Sequence, residues 1–137
     1  MQVSFSLVQR RMIAYHFAMN ALLIEYPTCS TCRKAHLWLE QSGAAFTTRH
    51  IVEANPSAEE LAAWHKLSRL PLRRFFNTSG MKYRELNLAT RLPLMSEKEM
   101  LALLASDGML VKRPLLITDS AVVPGFREEV WRQALGM

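Results

Sequence analysis

Two cysteines, Cys29 and Cys32, follow closely on a short apolar run that stops at Pro27. The 137-residue chain has no other cysteine. A secreted disulfide scaffold uses more cysteines at wider spacing, whereas a C-x-x-C pair in a chain of this kind indicates redox chemistry or half of a metal site. The pair therefore favours a fold that presents two thiols where a strand passes into a helix.

Apolar runs, capping boxes and Gly or Pro stops divide the rest of the chain into short elements. We predict strands at residues 22–26, 45–52, 115–118 and 121–123, and helices at residues 30–41, 57–70, 96–106 and 127–135. The order is β-α-β, a helical middle and β-β-α, which is the arrangement of the thioredoxin fold. The middle is longer than one crossover helix needs. We therefore predict an α/β, thioredoxin-like single domain over residues 19–137, with an inserted helical lobe at about residues 54–110.

The first eighteen residues differ from the rest, because they contain no acidic residue and carry Arg10 and Arg11 in their middle. A secretory signal places its charge before the apolar stretch and ends at a small-residue cleavage site, which this segment does not do. The absence of acids is a feature of transit peptides. We expect residues 1–18 to be an N-terminal extension, either short and native or the product of a start codon upstream of a true start at Met19.

The composition excludes several classes of protein. Half of the residues are apolar and 21% are charged, which excludes a disordered or collagen-like chain. No apolar run approaches the roughly 18 residues that cross a bilayer. The net charge of +5 comes from cations spread along the chain, so we expect no direct nucleic-acid contact and no membrane association.

The predicted helix start gives the two cysteines different chemistry. Cys29 lies at or just before the helix N-terminus, where unpaired N–H groups and the helix dipole favour a thiolate. Arg33 and Lys34 add positive charge one turn away. In such surroundings a thiol pKa falls from about 8.5 to roughly 3.5–7.5. Cys29 is then the nucleophile, and Cys32, one turn inside the helix, resolves the mixed disulfide.

Two alternatives remain open for the pair. A zinc ion would need four ligands, and His36 lies on the same helix face as Cys32. The chain lacks a second ligand pair with the usual spacing, which disfavours zinc. The other alternative is a pair of buried, unreactive thiols.

A second candidate feature is the dipeptide Arg113-Pro114, which directly precedes a predicted strand. In thioredoxin folds a proline at this place is cis and its loop faces the C-x-x-C motif. Arg113 would then point towards Cys29 and could stabilise a thiolate or an oxyanion. The alternative is a surface arginine beside an ordinary trans proline. A separate pair of consecutive cations, Arg73 and Arg74, is interpreted as solvated rather than as an anion-binding site.

Four segments resemble, in the same order, the ArsC/Spx family. They are YPTCSTCRKA (26–35), FFNTSGMKYREL (75–86), SDGMLVKRP (106–114) and VPGF (123–126). The resemblance extends from Ala21 to the end of the chain. It implies a thioredoxin fold with an inserted helical lobe in a cytoplasmic bacterial protein, and we expect a monomer with no cofactor and no bound metal.

The resemblance also implies a choice of functions. The family's arsenate reductases attack arsenate with one cysteine, which Cys29 matches, and use the arginine of an Arg-Pro dipeptide, which Arg113 matches. Their other anion-binding arginines fall near residues 77–79 and 124–126, and neither stretch contains an arginine. Glutaredoxin-linked reductases also lack the second cysteine, here Cys32.

We therefore expect a thiol–disulfide oxidoreductase of glutaredoxin or reductase type, with a redox-active Cys29–Cys32 pair. Its partner would be a thiol or disulfide protein or a glutathione-type reductant. Two alternatives are an arsenate reductase linked to glutathione and glutaredoxin, and a redox-switched regulator that binds the C-terminal domain of the RNA polymerase α subunit, as Spx does.

Overall fold

The computed structural model describes residues 20–137, so the extension expected at residues 1–18 lies outside the described part of the chain. The elements are β1 (Ala21–Glu25), α1 (Ser30–Ser42), β2 (Phe46–His50), α2 (Ala58–Ser68), α3 (Met81–Glu85), α4 (Leu88–Arg91), α5 (Glu97–Ser106), β3 (Leu115–Ile117), β4 (Val122–Pro124) and α6 (Glu128–Ala134). Short 3₁₀ turns lie at Leu72–Phe75, Leu92–Leu94 and Gly108–Leu110. No helix among residues 20–137 combines the length and the apolar character that crossing a bilayer requires.

The four strands form one mixed sheet in the order β2-β1-β3-β4. β1 runs parallel to β2 and antiparallel to β3, and β3 and β4 form an antiparallel hairpin. This β-α-β and β-β-α arrangement confirms the predicted thioredoxin-like fold. The ends of β1 and β4 and the start of β3 meet at one edge of the sheet, because Ile24 pairs with Leu115 and Leu115 pairs with Pro124.

The sheet separates two apolar clusters, because consecutive strand residues point to opposite faces. On one face Leu23 packs with Leu39 of α1 and Trp131 of α6. On the other face Ile24 packs with residues of the helical segment such as Phe75. Strand β1 is thus buried on both sides, which agrees with its uninterrupted apolar sequence.

The helical segment between β2 and β3 begins as its capping boxes predict. The side chains of Ser57 and Ser96 each accept a hydrogen bond from the backbone N–H three residues on, and the carboxylate of that residue, Glu60 or Glu99, accepts one from the backbone N–H of the serine. Helix α2 ends at Ser68, earlier than the stop expected at Pro71. Arg69 adopts a left-handed backbone conformation, with φ 59°. Leu70, the residue before Pro71, is also disfavoured from helical torsion angles.

Backbone hydrogen bonds fasten the chain before β3 to this helical segment. The Lys112 N–H donates to the Phe75 carbonyl at 2.8 Å, and the Asn77 N–H donates to the Leu110 carbonyl at 2.8 Å. Gly108 makes the closest approach, since a Cβ atom there would lie 2.1 Å from the backbone oxygen of Ile51. The helical segment therefore determines where the chain enters the turn at residues 113–114.

Candidate functional site

Cys29 is the N-cap residue of α1. Its backbone is extended, with φ −79° and ψ 124°, its N–H donates to the Tyr26 carbonyl at 2.9 Å, and its carbonyl accepts the Arg33 N–H at 3.0 Å. These bonds close the turn from β1 into the helix. The side chain of Cys29 is partly exposed, so an outside reactant can reach the thiol.

Cys32 lies one turn further on and is fully buried, with 0% exposure. Its Sγ accepts a hydrogen bond from the Tyr26 N–H at 3.5 Å. The two thiols are not joined by a disulfide in this structure. Cys29 is therefore the accessible thiol of the pair, and Cys32 is the sheltered one.

The Arg113–Pro114 peptide bond is cis, as the sequence predicted. The Pro114 carbonyl accepts the Gly125 N–H at 2.8 Å, which fixes the turn against the end of β4. The guanidinium carbon of Arg113 lies 5.0 Å from the centre of the Tyr26 ring, in cation–π range. Its Nη1 atom is buried and has no hydrogen-bond partner within the described residues.

The pKa of Cys29 is shifted downward by this environment. Burial alone would raise the pKa, but the backbone N–H and thiol of Cys32, the Arg113 guanidinium and the Thr31 N–H together lower it more. The Cys29 side chain makes no helix-capping hydrogen bond in this structure. We therefore attribute the shift to donors and charge close to the sulfur, which favour the thiolate.

The pKa of Cys32 moves the other way, to about 12. Burial is the largest cause, and hydrogen bonding and charge at Cys29 raise the pKa further. The Tyr26 N–H and the Arg113 charge oppose this shift without reversing it. In the reduced pair, Cys29 is therefore the thiol that ionises first.

The remaining predicted site residues lie as follows. Arg33 is exposed on α1, and its side chain is not among the groups that set the pKa of Cys29, so its stabilising role stays a prediction. His36 turns away from a shared metal site, because its Nδ1 lies 3.1 Å from Glu25 and its Nε2 lies 3.6 Å from Glu40. No group of three or more His, Cys, Asp or Glu side chains between residues 20 and 137 is arranged to bind a metal ion.

Tyr26 also belongs to the candidate site, although the sequence pattern did not indicate it as a site residue. Its carbonyl accepts the Cys29 N–H, its N–H donates to Cys32 Sγ, and its ring lies beneath Arg113. The signal was its place at the end of a strand, immediately before the proline of the C-x-x-C segment.

The two stretches where arsenate reductases carry further arginines are occupied differently here. Phe126 packs edge-on against Trp131, with ring centres 4.8 Å apart, and also contacts Trp38. Arg84 reaches the other stretch only through its contact with the backbone oxygen of Ser79, at 3.4 Å. Neither stretch contains an arginine of its own.

Comparison with known proteins agrees with this geometry. The model of the ArsC family matches residues 24–134, from the middle of β1 through α6. The chain belongs to the ArsC family. Within this family, the chain is similar to the protein YusI of Bacillus subtilis strain 168. The two sequences are 56% identical over 108 residues, and the alignment covers 79% of this chain and 92% of YusI. The chain is 31% identical over 101 residues to the regulatory protein MgsR of the same strain, covering 74% of this chain and 79% of MgsR.

Solved structures of the ArsC family have the same fold. An ArsC family related protein from Bacteroides fragilis matches with a TM-score of 0.82 and 52% identity, over 85% of this chain and 98% of that one. An arsenate reductase from Vibrio cholerae matches with a TM-score of 0.73 and 26% identity, over 86% of this chain and 97% of that one. ArsC-family relatives thus include both a reductase and a regulator.

Proposed function

We propose that this protein is a thiol–disulfide oxidoreductase of glutaredoxin or reductase type, in which Cys29 is the nucleophile and Cys32 the resolving thiol. The observation that carries the proposal is the difference between the two thiols: Cys29 is partly exposed at the helix N-terminus and has a lowered pKa, whereas Cys32 is buried one turn further on and has a raised pKa. A structural thiol pair has no need of this difference. Attack followed by resolution requires this difference. The first thiol must be ionised to attack the substrate, and the second thiol must stay protonated until the mixed disulfide has formed.

In the first step the Cys29 thiolate attacks one sulfur of a substrate disulfide. A new Cys29–substrate S–S bond forms, the substrate S–S bond breaks, and the other substrate sulfur leaves as a thiolate that takes a proton from water. The positive charge of Arg113 stabilises the sulfur anion before the attack.

In the second step Cys32 attacks Cys29. Once Cys29 is bonded to the substrate it carries no negative charge, so one of the causes that raise the pKa of Cys32 is removed. The Cys32 thiol then loses its proton more readily, attacks the Cys29 sulfur and releases the second substrate sulfur as a thiol. The Cys29–Cys32 disulfide retains the oxidising equivalents of the substrate, so two electrons pass to the substrate.

A thiol protein or a glutathione-type thiol would return the pair to the dithiol. We place the protein in the cytoplasm, because a reducing compartment can supply such thiols. The chain as described needs no cofactor for either step.

The test is turnover of hydroxyethyl disulfide, followed through NADPH oxidation in the presence of glutathione and glutathione reductase. We expect activity in the native protein, none in Cys29→Ser, and a trapped mixed disulfide in Cys32→Ser that mass spectrometry detects. Absence of turnover together with absence of the trapped species would reject the proposal.

The role of Arg113 is tested by the pH dependence of Cys29 alkylation in Arg113→Ala. Because Arg113 lowers the pKa of Cys29, we expect the alkylation profile to move to higher pH and the rate at pH 7 to fall. Arg91→Ala is the matched variant, since it removes an exposed arginine of α4 that is not among the groups that shift the pKa of Cys29. Equal profiles for Arg113→Ala and the native protein would remove Arg113 from the site.

A regulatory role is the second candidate, favoured by the similarity to the regulatory protein MgsR. In that case the same Cys29–Cys32 disulfide would act as a switch, and the partner would be the C-terminal domain of the RNA polymerase α subunit. A pull-down of that domain with and without dithiothreitol separates the two functions, because an oxidoreductase does not require this partner.

Arsenate reduction is not the function we propose. Loss of one preorganised donor typically lowers turnover by about 100–1,000-fold, and two of the arginines used by those enzymes have no counterpart here. With glutathione and glutaredoxin we expect weak or no arsenite formation. Robust arsenite formation that survives Cys32→Ser but not Cys29→Ser would make arsenate the substrate instead.

A further inference from the structure

A pocket of about 660 Å³ lies in the helical segment, and neither cysteine nor Arg113 lines it. Its walls come from the 3₁₀ turn at Leu72–Phe75, from residues of α3 and α4 and from the start of α5. The floor of the pocket is formed by four apolar side chains that are each at most 8% exposed, namely Leu72, Phe76, Leu92 and Met100. The volume is within the range of about 300–1,000 Å³ that holds a small organic molecule.

The rim of this pocket is basic. Arg73, Arg74 and Lys112 line it together with a single carboxylate, Glu97. The ion pairs found among residues 20–137 involve other side chains, so within that range the three rim cations have no carboxylate partner. Cations that gather at the edge of an apolar cavity without a partner favour an anion whose apolar part enters the cavity.

We propose that this pocket binds an amphipathic organic anion, with an aliphatic or aromatic body on the apolar floor and a carboxylate, sulfonate or phosphate group at the basic rim. Thr78 and Tyr83, which each carry a hydroxyl group, line the same pocket. An inorganic anion would leave the apolar floor in water, and a neutral apolar molecule would leave the cations unused. Both parts of the ligand are therefore required.

The binding test uses two probes, the fluorescent aromatic sulfonate 8-anilinonaphthalene-1-sulfonate and the aliphatic carboxylate decanoate. Both are titrated into the Cys29→Ser variant, so that thiol chemistry does not contribute and the result is independent of the proposed redox function. We expect saturable fluorescence enhancement by the sulfonate, displacement by decanoate, and little displacement by inorganic phosphate or 1-decanol at equal concentration. Displacement by phosphate as effective as that by decanoate would reduce the pocket to a simple anion surface and overturn the proposal.

Two pairs of variants assign the binding to this pocket. Arg73→Ala with Lys112→Ala removes two rim cations, and we expect at least about tenfold weaker binding, as two ion pairs of moderate strength would give. The matched pair is Lys66→Ala with Arg127→Ala, which removes two cations from a second groove, beside β4, that shares only Arg74 with this pocket. Weaker binding in the matched pair, with native binding in the first pair, would place the probe elsewhere.

The second comparison fills the cavity without touching charge. Ala89 is exposed and lines the pocket, so Ala89→Trp should abolish binding. Ala102 is exposed on α5 and does not line the pocket. The variant Ala102→Trp should therefore bind the probe as tightly as the protein with Ala102 does. Unchanged binding in Ala89→Trp would reject the pocket, and thermal melting curves of both variants verify that each is folded.

Discussion

The strongest prediction concerns the relative reactivity of the two thiols, measured in the single variants Cys32→Ser and Cys29→Ser. The pKa of Cys32 is about 12, against 9.0 for an ordinary cysteine thiol. A displacement of three units lowers the thiolate fraction near neutral pH by about 1,000-fold. A more basic thiolate is also a better nucleophile, and a Brønsted coefficient of about 0.4–0.5 recovers roughly 15–30-fold over three units. Cys32 should therefore react about 30–60-fold more slowly than an ordinary thiol, before its burial hinders access.

The assay is release of thionitrobenzoate from Ellman's disulfide, followed by stopped-flow absorbance between pH 6 and pH 9. Cys29→Ser also removes the Cys29 thiolate, which raises the pKa of Cys32, so the difference measured between the variants is smaller than the native one. We still expect Cys29 in Cys32→Ser to react at least about tenfold faster than Cys32 in Cys29→Ser, because burial, the largest cause, remains. The native protein should release two thionitrobenzoates and end as a disulfide. Equal rates in the two variants, or a faster Cys32, would refute the assignment of roles.

Three further predictions concern stability, measured by urea unfolding. Glu60 has a pKa of about 2, below the ordinary 4.5, chiefly because Arg49 donates hydrogen bonds to its carboxylate. After allowance for exposure, Glu60→Gln should lower the free energy of unfolding by about 1 kcal/mol at pH 7. This loss should become smaller as the pH falls from 4.5 towards 2, because the native carboxylate is then protonated. An equal cost at pH 7 and pH 2.5 would contradict this linkage. Gly108→Ala should destabilise the protein by at least about 2 kcal/mol, because the new Cβ atom would overlap the backbone of Ile51. Gly43→Ala should destabilise it by only about 1 kcal/mol, because no atom lies within 4 Å and only the φ of 80° is unfavourable. Similar losses in the two variants would show that the loop before β3 can move to accommodate the Cβ atom. Trp131→Ala, at a fully buried site, should cost about 3–5 kcal/mol, and a smaller loss would mean that the α1–α6 face repacks.

Local patterns were sufficient to predict the elements that carry the site. The apolar run before Pro27, the helix that Gly43 ends and the two capping boxes depend on neighbours within four residues, so the sequence displays them directly. The cis geometry before β3 followed from recognition of the fold order rather than from the dipeptide itself.

Properties that depend on distant packing could not be predicted in this way. Burial of Cys32, the main cause of its high pKa, results from the way that α1 packs on the sheet. The double contact of Tyr26 with Cys32 and Arg113 joins positions 87 residues apart in the chain. The early end of α2 depends on a left-handed arginine, which is uncommon for a residue with a Cβ.

The two backbone hydrogen bonds between residues 75–77 and residues 110–112 have a consequence for rebuilding the chain. These two hydrogen bonds join the two ends of the helical segment between residues 77 and 110. We therefore expect that the outer part of this segment can be altered while Arg113 keeps its position. Leu94, at 85% exposure, marks a point on that outer part where an inserted loop or tag meets no core. We expect a shortened crossover without these two hydrogen bonds to move Arg113 away from Cys29. The base of the helical segment therefore supports the arginine that lowers the pKa of Cys29, and it is the part that a redesigned chain should keep.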